Sequence, residues 1–247
     1  MIKFMSTACR KYKTMNSNIQ IVDEEKHRDV KIDFNEVKNA SRREYLVPVV
    51  LSEFHSLMFH YPIVFVKSKE TGEFTCSVLL GVSTEATLLD GQDMSDYEKI
   101  PLNIRRLPFL AIKSPDETEG GRPLIGINMT SPGVGQGECF FKNKSKEFEF
   151  SISALSELHD GYDETRAFVK RVVDLDLLVK LKAEILYKDK PKLTLEGLYG
   201  IDVNKVTQMD KLDSESKNLF LEIASFAYAQ NFSLYNMSKL TSLSSDR

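Results

Sequence analysis

Cysteine is scarce in this chain. Only Cys9, Cys76 and Cys139 occur in 247 residues, odd in number, far apart and without a CxxC pair. That excludes a disulfide framework and a thiolate zinc site, and it fits reduced thiols in a cytoplasmic protein. Glycine and proline number 12 and 8, too few for a collagen-like or broadly disordered chain. No stretch approaches the ~18 consecutive apolar residues of a membrane-spanning helix. Neither sign of charge dominates: 33 Lys and Arg stand against 36 Asp and Glu, a net charge of −3. Bulk attraction to a nucleic-acid backbone or an anionic membrane is therefore not expected. No internal repeat is visible, which argues against a solenoid or propeller. The first twenty residues carry Lys3, Arg10, Lys11 and Lys13 and no acid. Their apolar residues are scattered, whereas a signal peptide needs a run of about 7–15. Secretion is not expected, and Met5 or Met15 is an alternative start that leaves a short unstructured extension upstream.

What remains is an ordinary globular composition, 42% apolar and 28% charged. Val30-Lys31-Ile32-Asp33-Phe34 alternates as a half-buried strand does. Val50, Phe54, Leu57 and Met58 recur at helical spacing, and Tyr61-Pro62 should end that helix. Ile63–Val66 and Phe74–Leu80 flank Thr71-Gly72, the clearest hairpin signal in the chain. Both runs are continuously apolar, so the hairpin is expected to be central and covered on both faces. Leu107–Ile112 and Leu124–Ile127 read as two further strands, joined by an acidic, glycine-rich connection over Ser114–Pro123.

From Ser151 the period becomes helical: Ile152, Leu155 and Leu158, then Phe168, Val172 and Val173, with Gly161 expected to break or kink the run. Leu181, Ala183, Ile185 and Tyr187 alternate and, with Leu193, Leu195 and Leu198, suggest a smaller second hairpin. Asp213 or Ser214 is placed to cap a final helix through Leu219, Phe220, Ile223, Phe226 and Ala227. Strands first and helices later mean an α+β fold: an antiparallel or mixed sheet from the N-terminal half, packed with helices mainly from the C-terminal half. The expected organisation is a disordered extension over 1–19, a single domain over 20–240 and a frayed tail over 241–247.

Few residues carry a chemical signal. The four histidines, His27, His55, His60 and His159, form no HxH or HExxH pattern, so no metal site is expected. No cofactor is expected either. His27-Arg28-Asp29 resembles the kinase tripeptide but lacks the glycine-rich loop, strand lysine and magnesium-binding carboxylate of that signature. It reads as ion pairing beside a strand or as part of an anion site. Gly133-Val134-Gly135-Gln136-Gly137 is followed by extended Glu138-Cys139-Phe140-Phe141 instead of a helix, which favours a flexible hairpin loop over a phosphate cradle. Arg105-Arg106 can grip a carboxylate or phosphate, or pair with acids across the fold. There is no GxSxG elbow. Phe54, Phe59, Tyr61, Phe65, Phe109 and Phe168 sit in apolar periodic runs and read as core.

The succession His27-Arg28-Asp29-Val30-Lys31-Ile32, Val47-Pro48-Val49 with Glu53-Phe54, and Tyr61-Pro62-Ile63-Val64-Phe65-Val66 resembles the SapC-like family of bacterial proteins. Leu79-Leu80-Gly81, Arg105-Arg106-Leu107-Pro108-Phe109, Thr165 with Phe168, and Asp176-Leu177-Leu178 continue the likeness. Leu195-Glu196-Gly197-Leu198-Tyr199 with Asp202 completes it, and the likeness spans roughly Gln20–Leu240. Where the family carries an acidic cluster, this chain has Asn128-Met129-Thr130-Ser131. The resemblance implies an accessory role beside flavin-dependent halogenase-like or oxygenase partners, with no catalytic residue to carry over. A cytoplasmic accessory or binding protein with a protein partner is therefore the first expectation. The alternatives are an enzyme whose anionic small-molecule or peptide substrate is held by Arg105, Arg106, His27, Arg28 and Asp29, and a structural subunit of a larger assembly.

Overall fold

A computed structural model describes residues 18–112, 123–141, 145–185, 192–209 and 214–243, with the backbone of Ile2 and Lys3. In chain order the first elements are β1 (Ile2–Lys3), β2 (Ile19–Ile21), β3 (Lys31–Ile32), α1 (Phe34–Ser41) and β4 (Leu46–Pro48). A 3-10 turn, Leu51–Glu53, leads into α2 (Phe54–Leu57), and β5 (Ile63–Lys67) and β6 (Phe74–Leu79) follow. Next come α3 (Leu102–Arg105), β7 (Phe109–Ile112), β8 (Leu124–Asn128), β9 (Glu138–Cys139) and the long α4 (Lys146–Asp174). The chain then forms β10 (Leu178–Lys180), β11 (Ala183–Ile185), β12 (Leu193–Glu196) and β13 (Leu198–Ile201). It closes with α5 (Val203–Gln208), α6 (Ser214–Ser233), a 3-10 turn Leu234–Asn236 and α7 (Met237–Ser242). The fold is α+β, with the two longest helices in the C-terminal half. Its described residues divide into two units, one from 43–101 and 161–243 with β1, the other from 18–42 and 102–160.

The first unit is built on a five-stranded antiparallel sheet in the order β10-β13-β5-β6-β4. The β5–β6 hairpin pairs Ile63 with Val78 through Lys67 with Phe74. Ile63, Val64 and Phe65 are wholly buried, which explains an apolar run without alternation. One apolar layer joins Val64, Val66, Leu79, Leu195, Leu198 and Leu240. Elsewhere in the unit Phe54, Phe168 and Phe226 meet edge to face, Phe226 lying 5.6 Å from Phe54 and 5.1 Å from Phe168. The expected smaller hairpin is β11–β12, beside which β1 runs parallel. β13 instead enters the main sheet against β5.

Gly161 does not break the helix. α4 runs through it, and the position is glycine because a side chain there would meet Val50, an added Cβ lying 3.1 Å from the Val50 Cβ and Cγ2. One turn on, the Thr165 hydroxyl donates to Gly161 O at 2.6 Å and accepts the buried Leu51 N–H at 2.9 Å. Glycine and threonine at this spacing seat the Val50–Leu51 corner on the helix.

The second unit holds a three-stranded antiparallel sheet, β2-β8-β7, and the short β3–β9 pair. The expected strand over Val30–Phe34 is only Lys31–Ile32. Asp33 ends it by capping α1, its carboxylate accepting the Asn35 and Glu36 N–H groups at 3.0 and 3.2 Å. The glycine run docks on β3: Asp33 N–H donates to Gly133 O at 2.9 Å and Gly135 N–H to Lys31 O at 2.9 Å. At Gly137, φ is +80° and a Cβ would stand 2.6 Å from Ile32 O, so no other residue fits. The unit's core is Ile32, Val37, Phe109, Ile127, Phe140 and Leu155.

The connection expected over Ser114–Pro123 lies almost wholly outside the described residues, as do Asp213, Tyr187 and Cys9. Most of 1–19 and the last four residues of the tail also lie outside, while Ile19 is in β2 and Thr241–Ser242 close α7.

Candidate functional site

In the second unit three of the five residues marked out for anion binding, His27, Arg105 and Arg106, are engaged through their side chains with their own surroundings. His27 is buried in the turn before β3, and its ring spans two partners. The ring Nδ1 lies 3.1 Å from Asp23 O and 3.0 Å from Asp23 N, and because that amide can only donate, Nδ1 accepts its N–H. This leaves Nε2–H to donate to Gln20 Oε1 at 3.1 Å. Asp23 Oδ1 accepts Lys26 N–H at 2.9 Å and Glu25 N–H at 3.1 Å, and the Lys26 amide above all holds this carboxyl below its ordinary pKa. Arg28 and Asp29 are exposed, and Asp29 O lies 3.8 Å from the Cys139 thiol.

Arg105 and Arg106 follow one another at the end of α3, but their guanidinium groups serve different partners. Arg105 reaches Glu157 on α4 at 3.4 Å, while Ser151 Oγ donates to Arg105 O at 3.0 Å. Arg106 donates from Nε to Asn103 Oδ1 at 2.9 Å and from Nη1 to Phe109 O at 2.7 Å. Phe109 N–H donates back to Arg106 O at 2.8 Å, closing a turn over the cis Leu107–Pro108 bond. Arg106 thus ties α3 to the start of β7.

The first unit contains an arrangement of another kind. α6 binds the segment 58–63 through buried polar groups. Gln230 Nε2 donates to Ile63 O at 2.9 Å while its Oε1 accepts Ile201 N–H at 3.0 Å, and Ser233 Oγ accepts Ile63 N–H at 2.8 Å. Just beyond, Asn236 Nδ2 donates to Met58 O at 2.8 Å, and Lys239 Nζ to Phe59 O and His60 O at 3.2 and 3.3 Å. Tyr61 is buried there with a hydroxyl that has no hydrogen-bond partner among the described residues. Burial, then the Asp96 charge, pushes its pKa up, so the phenol stays neutral. Burial first, then Lys99 and Lys239, holds His60 below its usual value near 6.5. Asp96 pairs with Lys99 at 2.5 Å and raises the lysine.

The opposite side of α6 faces solvent, and it is apolar. Leu221, Tyr228, Phe232 and Tyr235 are 62%, 54%, 50% and 81% exposed. Phe59, placed in the core by its periodicity, is 54% exposed and stands edge-on to Phe232 at 5.9 Å. Tyr235 lies 5.9 Å from Phe232 on the other side. From Leu221 to Tyr235 the exposed residues are 221, 225, 228, 232 and 235, a 4-3-4-3 spacing that lines one narrow seam. No Asp, Glu, Lys or Arg stands between Glu222 and Lys239, and Glu222 is paired with Arg171 at 3.0 Å.

Against known proteins, the SapC family model matches residues 22–240. The chain belongs to the SapC family. The match takes in His27, Arg105, Arg106, the Tyr61 segment and the whole of α6, so both arrangements lie within the SapC domain. No curated protein and no solved structure matched the chain.

Three further observations bound the chemistry of this SapC chain. Cys76 is buried in β6, where desolvation pushes its thiol up and keeps it protonated. Among the described residues no group of three His, Cys, Asp or Glu side chains could hold a metal ion. None of the described helices is long and apolar enough to cross a membrane. The periodicity of Leu219–Ala227 marks only the inward residues of α6 and not the seam. The signal for the seam is the charge-free run after Glu222, since a solvent-facing helix surface normally carries charge.

Proposed function

We propose that this SapC-family protein works through protein–protein binding, as an accessory or structural subunit of a bacterial, cytoplasmic assembly, and that α6 is its docking face. The single observation that carries the reading is the uncharged, aromatic-rich seam of Leu221, Tyr228, Phe232 and Tyr235, flanked by Phe59. Aromatic side chains on a rigid helix are the residue types that dominate binding energy at protein interfaces. The buried bonds from Gln230, Ser233 and Asn236 to Ile63 and Met58 hold the seam in place, so little order has to be gained on docking. Flavin-dependent halogenase-like proteins and oxygenases are the partners to be tried first. We also take 20–240 as one working domain.

The alternative of an enzyme acting on an anionic substrate has less support, because Arg106 is turned to Asn103 and Phe109 O while Arg105 is paired with Glu157, so the two guanidinium groups serve different partners. The test is co-purification of tagged wild type, Leu221→Lys and Tyr235→Glu from the native cell. One defined protein recovered with wild type and lost from both variants, at unchanged helix content, is expected. Equal recovery by all three would remove the reading.

A further inference from the structure

The α6 seam also indicates what covers it. We propose that its occupant is a second copy of this chain, the two α6 helices lying antiparallel about a two-fold axis near Tyr228; this rests on the docking reading above. Three features point to a copy.

The first is shape. A seam at 4-3 spacing, flanked on both sides by residues that are wholly or partly buried, accommodates a rod and not a broad surface, and a helix with the same spacing is the rod that fits. The second is charge. A face with no charge between Glu222 and Lys239 gains nothing from a charged partner and would force that partner's ions out of water, whereas a copy brings an equally uncharged strip. The sizes along the seam are complementary in the same sense. Turned about Tyr228, Leu221 comes opposite Tyr235 of the other copy, and small Ser225 comes within one residue, about 1.5 Å, of the level of bulky Phe232.

The third is area. Large aromatic side chains bury roughly 150–250 Å² each, so the exposed parts of Phe59, Tyr228, Phe232 and Tyr235, with Leu221, come to about 500–600 Å². That is at the upper end of the largest apolar patch a monomer usually leaves open. A standard interface takes about 800 Å² from each partner, with an apolar centre and a polar rim. The seam supplies the centre, and exposed Asn218 and Ser238, which come level across the axis, supply the polar rim, beyond which Lys217 and Lys239 of the other copy face one another as solvated like charges. An isologous pair brings the same strip twice, as two-fold dimers do.

Sedimentation of the full chain between about 1 and 200 μM tests this, with Leu221→Lys and Tyr235→Glu beside wild type and helix content followed by circular dichroism. A wild-type dimer whose dissociation constant rises at least about tenfold in each variant is expected. Cross-linking provides an arm that needs no charged substitution. In a Cys9→Ser, Cys139→Ser background, Tyr228→Cys should form a disulfide-linked dimer on mild oxidation. Leu221→Cys should not, because its twin lies about 21 Å away along the helix, at a rise of about 1.5 Å over fourteen residues. A wild type monomeric throughout the range overturns the proposal, and so does a dimer that both charged variants leave intact. Cross-linking at 221 in place of 228 overturns the antiparallel arrangement. If wild type is monomeric while Leu221→Lys still loses a captured partner, the second copy falls and the docking face stands.

Discussion

Replacing Thr165 by valine isolates one hydrogen bond that holds the first unit together. Valine keeps the β-branched outline and nearly the same helix preference, so packing and propensity change little. Gly161 O loses the hydroxyl but keeps the Thr165 backbone N–H that α4 gives it, and is not orphaned. Leu51 N–H is different. It is buried, and its 2.9 Å bond to Thr165 Oγ1 is its hydrogen bond to α4. A buried donor left without an acceptor costs about 1–3 kcal/mol. For a chain of this size that is a fall of about 2–12 °C in Tm, at roughly 2–4 °C per kcal/mol. Urea unfolding followed by circular dichroism should show a lower midpoint at unchanged slope. Thr165→Ser keeps the hydroxyl and should lose clearly less. A valine variant as stable as wild type, or a serine variant that falls as far, would refute the assignment of this bond as the Val50–Leu51 anchor.

Arg106→Ala should cost about 1.5–3 kcal/mol, since it removes a charged donor from Asn103 and Phe109 O, whereas Glu157→Ala, where the carboxylate is exposed and the pair is long at 3.4 Å, should cost about 1 kcal/mol or less; thermal melts of the two variants give the comparison. In a Cys9→Ser background a thiol reagent should modify Cys139 readily and Cys76 only on unfolding, followed by mass spectrometry. His60 should titrate below 6.5 by NMR. A histidine whose folded value is lowered binds fewer protons than the unfolded chain, so its stabilising contribution is complete above 6.5 and is lost as pH falls through the folded value. His60→Gln should flatten that part of the stability curve, and a curve unchanged by the substitution would contradict it.

The sheet was legible where the sequence left one interpretation. Ile63–Val66 and Phe74–Leu80 around Thr71-Gly72 form the central hairpin because a two-sided burial site admits only apolar residues. α1 was not legible, because Val30–Phe34 alternates well enough to hide that Asp33 is a cap with Glu36 three residues later. Gly161 misled because propensity treats glycine as a helix breaker, whereas here the packing of Val50 requires the missing side chain. That β13 joins the main sheet is a matter of long-range pairing that no local pattern encodes. Charged residues are the conspicuous candidates in the sequence, yet Arg106 and His27 are hydrogen-bonded within their own turns. The exposed aromatic seam is inconspicuous there, because Phe59 carries the period of a core residue and Tyr228, Phe232 and Tyr235 lie beyond the periodic run Leu219–Ala227.

Hydroxyl-radical footprinting of Tyr228, Phe232 and Tyr235, read by mass spectrometry, tests the docking face most directly. If α6 is covered when the protein works, these three residues are protected in concentrated protein or in native extract and become reactive on dilution, while Tyr162, exposed on α4, reacts equally in both. Oxidation of all three at the same rate under every condition would mean that nothing docks there.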